Sequence, residues 1–257
     1  MTTYVTSGLS AGENRRIGRA MSDYSMLADG DTVLVAVSGG IDSLVLAWML
    51  HNWRNKAPIN YRLKAVHIDM MPGVGEAGIN ARQAAGRLET IGLSCVILPA
   101  DLPRPTATDT PASSTKDVCF HCARSRRKQL FEYARKHHYS SIALGHHRDD
   151  IVETFFLNLT CGGNISTMRP RQDLFSGRLT LIRPLAYLRK IEITAISRRL
   201  GLDPVNSNCP LFGQTRRKEI RELLDHIYDS IPGSREHIFA ALGNVRTDYL
   251  LKPSGNS

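Results

Sequence analysis

Apolar residues fall along this chain in two alternating rhythms. Thr32-Val33-Leu34-Val35-Ala36-Val37 is an unbroken β-branched run, too short for a helix, and predicts a strand covered on both faces. Similar runs at 63–69, 94–98 and 141–144 predict three more strands. Between them, helical spacing marks 13–27, 44–53, 78–91 and 120–138. Strands alternating with helices predict an α/β parallel sheet with helices on both faces. The Pro-rich stretch 99–111 reads as an irregular loop. Beyond about 160 the pattern weakens. Leu179-Thr180-Leu181-Ile182 predicts a strand, and helices are expected at 192–200, closed by Gly201, at 214–227 and at 235–242. The expected division is an N-terminal helical segment over 1–30, an αβ core over 31–160 and a mostly helical part over 161–257, with a frayed tail from Pro253.

Composition adds partner and compartment. The 257 residues include 33 Lys and Arg against 24 Asp and Glu, a formal net charge of +9, which favours a polyanion such as nucleic acid. No apolar run approaches the roughly 18 residues of a membrane span. The polar N-terminus lacks the apolar core of a signal peptide, so a cytoplasmic protein without membrane contact is expected. In that setting the spacing Cys119-x-x-Cys122 points to metal binding or redox chemistry rather than to a structural disulfide.

The first strand leads from Ala36 into Ser38-Gly39-Gly40-Ile41-Asp42-Ser43 and then a helix. Glycines let backbone amides approach oxyanions, a helix N-terminus favours negative charge, and Ser38 and Ser43 add hydroxyl donors. Asp42 beside phosphate suits Mg²⁺ or a helix cap. The lysine of the ordinary phosphate loop is missing from the motif. The second strand ends in His67-Ile68-Asp69 and the fourth runs into Gly145-His146-His147-Arg148-Asp149-Asp150. Both ends border the crevice where open α/β sheets bind ligands, so Ala36, Ser38, Gly39, Gly40, Asp42, Ser43, His67, Asp69, Gly145, His146 and Asp150 are the expected nucleotide site.

Cys119, Cys122 and the remote Cys209 supply three thiolates. A closed zinc site needs a fourth ligand, and a disulfide or persulfide pair needs no metal. A [4Fe–4S] cluster held by three thiolates leaves one iron open. Cys95 reads as a core residue, and Cys161 as structural with a persulfide role open. Arg124, Arg126, Arg127 and Lys128 crowd the helix bearing the Cys pair, and Arg216, Arg217 and Lys218 follow Cys209. Both clusters are candidate RNA-binding groups.

The string Ser38 to Ser43 after an apolar strand resembles the PP-loop of the N-type ATP pyrophosphatases, which cleave ATP to AMP and pyrophosphate. With Cys119-x-x-Cys122, Gly145 to Asp150, Ile182 to Tyr187 and Cys209 added, residues 15–228 resemble the TtcA family of tRNA 2-thiocytidine synthetases. The chain departs from that pattern at Leu188, where a cysteine often follows the Pro-Leu-Ala-Tyr segment. The resemblance implies a Rossmann-like, adenine nucleotide α-hydrolase-like core that uses ATP, Mg²⁺ and a [4Fe–4S] cluster. It implies tRNA as substrate, adenylated at a pyrimidine C2 oxygen, cytidine 32 above all. It implies sulfur from a cysteine desulfurase or inorganic sulfide, and a homodimer. The matching residues carry the roles over: Asp42 for Mg²⁺ and catalysis, and Cys119, Cys122 and Cys209 for the cluster.

Overall fold

The computed structural model describes residues 8–101, 115–205 and 216–251, with side chains in the Cys119-x-x-Cys122 helix from Phe120 onward. The chain opens with α1 (Ala11–Asp23), where Ser10 and Glu13 form a capping box. The helix stops short of the expected position 27 because Ser25 turns left-handed at φ 44° and the chain dives to bury Met26. Then follow β1 (Thr32–Ala36), α2 (Ile41–Trp53), β2 (Arg62–Asp69), α3 (Ile79–Thr90), β3 (Cys95–Pro99), α4 (Thr115–Lys136) and β4 (Ser141–Ala143). Next are α5 (Arg148–Cys161), β5 (Arg171–Leu174), β6 (Leu179–Ile182), α6 (Lys190–Leu200), α7 (Arg216–Ser230) and α8 (Ser234–Ala241). A short 3₁₀ turn (Thr247–Tyr249) comes last.

The strands form one sheet in the order β3-β2-β1-β4-β6-β5. All neighbours run parallel except β5, which pairs antiparallel with β6 through Arg171↔Ile182 and Leu174↔Leu179. Alternation along β1 divides the core. Val33 and Val35 join Leu44, Leu50, Ile193 and Ile196 in a layer built by α1, α2, α3 and α6. Leu34 turns to the opposite layer with Val66, Ile142, Leu181 and Ala134 of α4. All three β1 residues are fully buried, as the unbroken apolar run predicted. Burying each such side chain contributes about 1.5–3 kcal/mol.

The sequence runs through two compact units, Met1–Ile151 with Met168–Thr215, and Val152–Thr167 with Arg216–Ser257. The second unit has its own apolar cluster of Val152, Ile220 and Leu224, flanked by Phe156, Tyr228 and Phe239. Buried in it is Glu153, whose carboxylate accepts from Arg221 Nε at 2.9 Å and from Arg217 Nη1 at 3.5 Å. Among the described residues no helix is long and apolar enough to cross a membrane.

Candidate active site

Strand order reverses between β1 and β4, because the chain moves outward through β2 and β3 before returning. The crevice beyond the C-terminal ends of β1 and β4 is therefore the topological place for a ligand. The Ser38–Ser43 loop leaves β1 there. Gly39 holds φ at +90°, a conformation that favours glycine. Gly40 precedes α2 without a side-chain cap, so the first-turn amides carry the positive end of the helix dipole. The helix cap that Asp42 suited is not made. Ser43 is buried, its hydroxyl donating to the Gly40 carbonyl at 2.8 Å and accepting from the Ser38 amide at 3.1 Å. It folds the loop from within, while Ser38 stays exposed.

Gly145 enters the same space from β4. A Cβ there would lie 2.9 Å from the Asp42 carbonyl carbon and 3.0 Å from the Ser43 nitrogen. Only a glycine lets the two strand ends meet this closely.

Asp42 gives both carboxylate oxygens to Lys190 Nζ, at 2.6 and 2.7 Å. Lys190 opens α6, and its own amide donates to Asp149 Oδ2 at 2.7 Å. A lysine nearly 150 positions downstream is thus brought to the phosphate loop. His147, buried, sits among three carboxylates: Nε2 is 3.8 Å from Asp42 and 3.3 Å from Asp150, and Nδ1 is 3.6 Å from Asp149. Asp150 also caps the turn by accepting from the His147 amide at 3.0 Å. Sequence reasoning singled out His146 and passed over His147 and Lys190. The signal for His147 lay inside the quoted motif, whereas Lys190 had none, since only the fold brings α6 to the loop. Among the described residues no three His, Cys, Asp or Glu side chains are grouped as a protein-only metal cage. Mg²⁺ bound with nucleotide phosphates needs only one or two carboxylates, and Asp42 is placed to give one.

His67 is buried against the loop, with Nδ1 2.8 Å from the Val37 carbonyl. That bond puts the proton on Nδ1 and leaves Nε2 as an acceptor. Burial pushes the imidazole below its ordinary value of 6.5; the Val37 bond and Asp69 oppose this, and nearby Arg126 reinforces it. The unfolded chain therefore takes up the proton first on acidification. The stability due to neutral His67 is present above pH 6.5 and is lost as pH falls through the lower folded value. The thermal midpoint should fall with acidification below that point, and less steeply in His67→Gln, whose amide can keep the Val37 bond. His51, also lowered by burial and by Arg54, leaves a residual slope.

Asp69 has a different task from the one expected. Its oxygens accept from the Met71 amide at 3.1 Å and the Gly78 amide at 2.6 Å, closing the loop after β2. Arg217 likewise differs from a free phosphate contact, since it pairs with buried Glu153 and also donates to Thr154 at 3.0 Å. Lys218 pairs loosely with Glu222 at 3.9 Å, and Arg216 lies 3.5 Å from the Cys161 sulfur. Bonds from Thr160 and Arg216 hold that exposed thiol below its usual range. Burial instead pushes Cys95 up to about 11, as befits a core residue.

Cys122 lies half-buried on α4, packed against the apolar layer that holds Leu34, Val66 and Ile142. Gln129 fixes the helix there by donating to the Pro99 carbonyl and to Asp101, each at 2.9 Å. The helix begins at Thr115, not at the Cys pair, so Cys122 is beyond the first turn and outside the dipole's reach. The Cys119 side chain and Cys209 lie outside the described residues. Val205, four positions before Cys209, donates its amide to the Gly39 carbonyl at 2.9 Å. Of the basic residues, Arg124, Arg127 and Lys128 are exposed, whereas Arg126 is half-buried.

Residues 11–226 match the PP-loop domain family. A tRNA-cytidine(32) 2-sulfurtransferase from Ralstonia nicotianae is 37% identical over 235 residues, 91% of this chain and 73% of the relative. Its namesake from Xanthomonas euvesicatoria is 37% identical over 92% of this chain and 76% of its own. That from Dechloromonas aromatica is 36% identical over 91% and 80%. Among solved structures, the U34-tRNA thiolase NcsA from Methanococcus maripaludis with its [4Fe-4S] cluster aligns with a TM-score of 0.70. The alignment covers 90% of this chain and 77% of that one at 22% identity, a likeness of fold.

Proposed function

The chain belongs to the PP-loop domain family, and on that premise we propose that it is an ATP-dependent tRNA sulfurtransferase that converts cytidine 32 to 2-thiocytidine. The observation that carries this reading is the close approach of Gly145 to the phosphate loop at the C-terminal ends of β1 and β4. The relatives at 35–37% identity share the name tRNA-cytidine(32) 2-sulfurtransferase, and the match spans most of each of them.

ATP places its phosphates on the Ser38–Ser43 amides and the N-terminus of α2. Lys190 supplies the cation that the motif lacks by turning from Asp42 to phosphate, and Asp42 would then hold Mg²⁺, which would neutralise phosphate charge. Gly39, Gly40, Gly145 and His67 line the crevice. The C2 oxygen of a base lifted from its stack attacks the α-phosphate, forming an O-adenylated base and releasing pyrophosphate. Sulfur then adds at C2, and the C2–O bond breaks with AMP as leaving group. The exchange is not a net oxidation or reduction. Cys119, Cys122 and Cys209 would hold a [4Fe–4S] cluster, which supplies the sulfur nucleophile at neutral pH. Thiolates suit that group, and the Cys122 thiol is partly exposed. Cys209 follows Val205, which is bonded to the phosphate loop, by four positions, a reach of at most about 14 Å. The sulfur arrives at the sulfide level, either as inorganic sulfide or from a cysteine desulfurase whose persulfide a thiol has reduced, in a cytoplasmic enzyme that pairs as a homodimer.

Lys190→Met should slow tRNA-dependent pyrophosphate release by about 10²–10³-fold, the usual loss when one donor to developing charge is removed. Tighter apparent Mg²⁺ binding should accompany it, since Asp42 is then unpaired. Unchanged turnover would leave Lys190 a surface contact. The whole reading is tested by anaerobic reconstitution with iron, sulfide, ATP and tRNA carrying cytidine 32, followed by nucleoside mass spectrometry. A brown protein yielding 2-thiocytidine, AMP and pyrophosphate supports it. A colourless zinc protein, or pyrophosphate release without a thionucleoside, overturns it.

A further inference from the structure

A groove of 810 Å³ runs beside α4, between that helix, the start of β4 and the turn joining β5 to β6. All of these lie in the sheet-bearing unit. Positions 124, 128, 131 and 135 recur at helical spacing and form one stripe, roughly 16 Å long, with His138 just past the helix end. The groove has an aromatic floor of Phe131, Tyr139 and Phe175. Its rim is cationic: Arg124, Arg127, Lys128 and Arg135 come from the helix and Arg178 from the turn. Glu132 is the carboxylate among the described lining residues, and it stands 3.7 Å from Lys128.

The turn is unusual in a way that bears on the floor. Phe175 adopts φ +53° and Ser176 φ +59°, a region that bulky L-residues rarely enter. Arg178 Nε donates to the Phe175 carbonyl at 3.0 Å and helps hold the bend. The Phe175 ring meets Phe131 edge-on, 5.9 Å between centroids, yet the residue stays 53% exposed. The tight turn between β5 and β6 thus sets a phenyl face in water, open to a ligand.

We infer that this groove, lying away from the nucleotide crevice, holds a short unpaired stretch of the RNA substrate. One base stacks on Phe175, and the flanking phosphates meet Arg135 and Arg178. The inference rests on the tRNA reading above and names where that RNA is gripped. Aromatic faces beneath a cationic rim are what single-stranded nucleic acid recognises, because each base offers a π-face and each linkage a charge. An acidic protein segment would satisfy the rim but not the floor.

The test uses the full chain purified anaerobically and two labelled probes: a stem–loop RNA with an unpaired loop, and a blunt duplex of the same stem. Binding is followed by fluorescence anisotropy across a salt series. Phe175→Ala should weaken the stem–loop by about tenfold and leave the duplex unchanged, and Phe175→Trp should restore the loss. Arg135→Gln with Arg178→Gln, both on exposed positions, should lower the salt slope by roughly one to one and a half. If a wild-type protein that binds and thiolates tRNA loses nothing in these variants, the groove is excluded and the sulfurtransferase reading stands. If Phe175→Ala weakens both probes and Trp does not rescue, the stacking role is excluded. A wild-type chain that neither binds the stem–loop nor thiolates tRNA brings down the functional reading itself.

Discussion

Cys122→Ser should leave a folded, ATP-binding protein that makes no thionucleoside. The exchange alters one atom, oxygen for sulfur, so the packing of this half-buried side chain on its apolar layer is nearly preserved. An alcohol oxygen is a poor substitute for thiolate at iron. Even changes in residues that only support a ligand cost metal sites about ten- to hundredfold, so loss of the ligand itself should exceed a hundredfold. The expected preparation is pale, poor in iron, and silent in the 2-thiocytidine assay. Its affinity for a non-hydrolysable ATP analogue should stay within about twofold of wild type, because Cys122 gives nothing to the phosphate loop. Wild-type colour and thiolation in this variant would show that the thiol is not a ligand. Zinc in the wild type, lost together with colourless activity in the variant, would convert the site to a different metal centre.

Gly145→Ala is the second large effect, and it arises in a different part of the crevice. The added methyl would press on backbone atoms of Asp42 and Ser43 at 2.9–3.0 Å, and backbone cannot rotate away as a side chain can. Overpacking of this kind costs about 1–3 kcal/mol of stability. The larger consequence is positional. Pushing the loop out by a fraction of an ångström shifts the amides that meet phosphate, and misplacement of about 1 Å can cost a hundredfold in rate. Calorimetric titration of the ATP analogue should show a clear loss, with tRNA binding retained. Wild-type nucleotide affinity would mean that the end of β4 and the phosphate loop do not share one ligand.

The sheet was readable because its inner strands are buried on both faces and so carry apolar runs. β5 was not, since Arg171-Gln172-Asp173-Leu174 is a mostly exposed edge strand without any such run. Helix ends were shifted for local reasons. α2 begins at Ile41 under a glycine cap, and α1 stops where Ser25 bends to bury Met26. In the candidate site, the contiguous motifs pointed to which loops meet, but not to the bonds their side chains make. Ser43 and Asp69 read as ligand contacts, yet each spends its polar atoms on its own loop. Arg217 read as a phosphate contact because sequence does not reveal a buried Glu153 beneath it. Lys190 was invisible for the opposite reason: an unremarkable lysine gains its role only through a tertiary approach across nearly 150 positions.

The sheet's two margins have a consequence for how copies of the chain behave in a crowded solution. Unsatisfied strand borders invite a neighbour to continue the ladder and seed aggregates. Here one border is β5, four residues long, antiparallel and bearing Arg171 and Asp173; the other is β3, which stops at a proline. Neither offers a long flat template. Self-recognition by strand addition is therefore disfavoured, and any stable pairing of subunits has to be made by helices and loops.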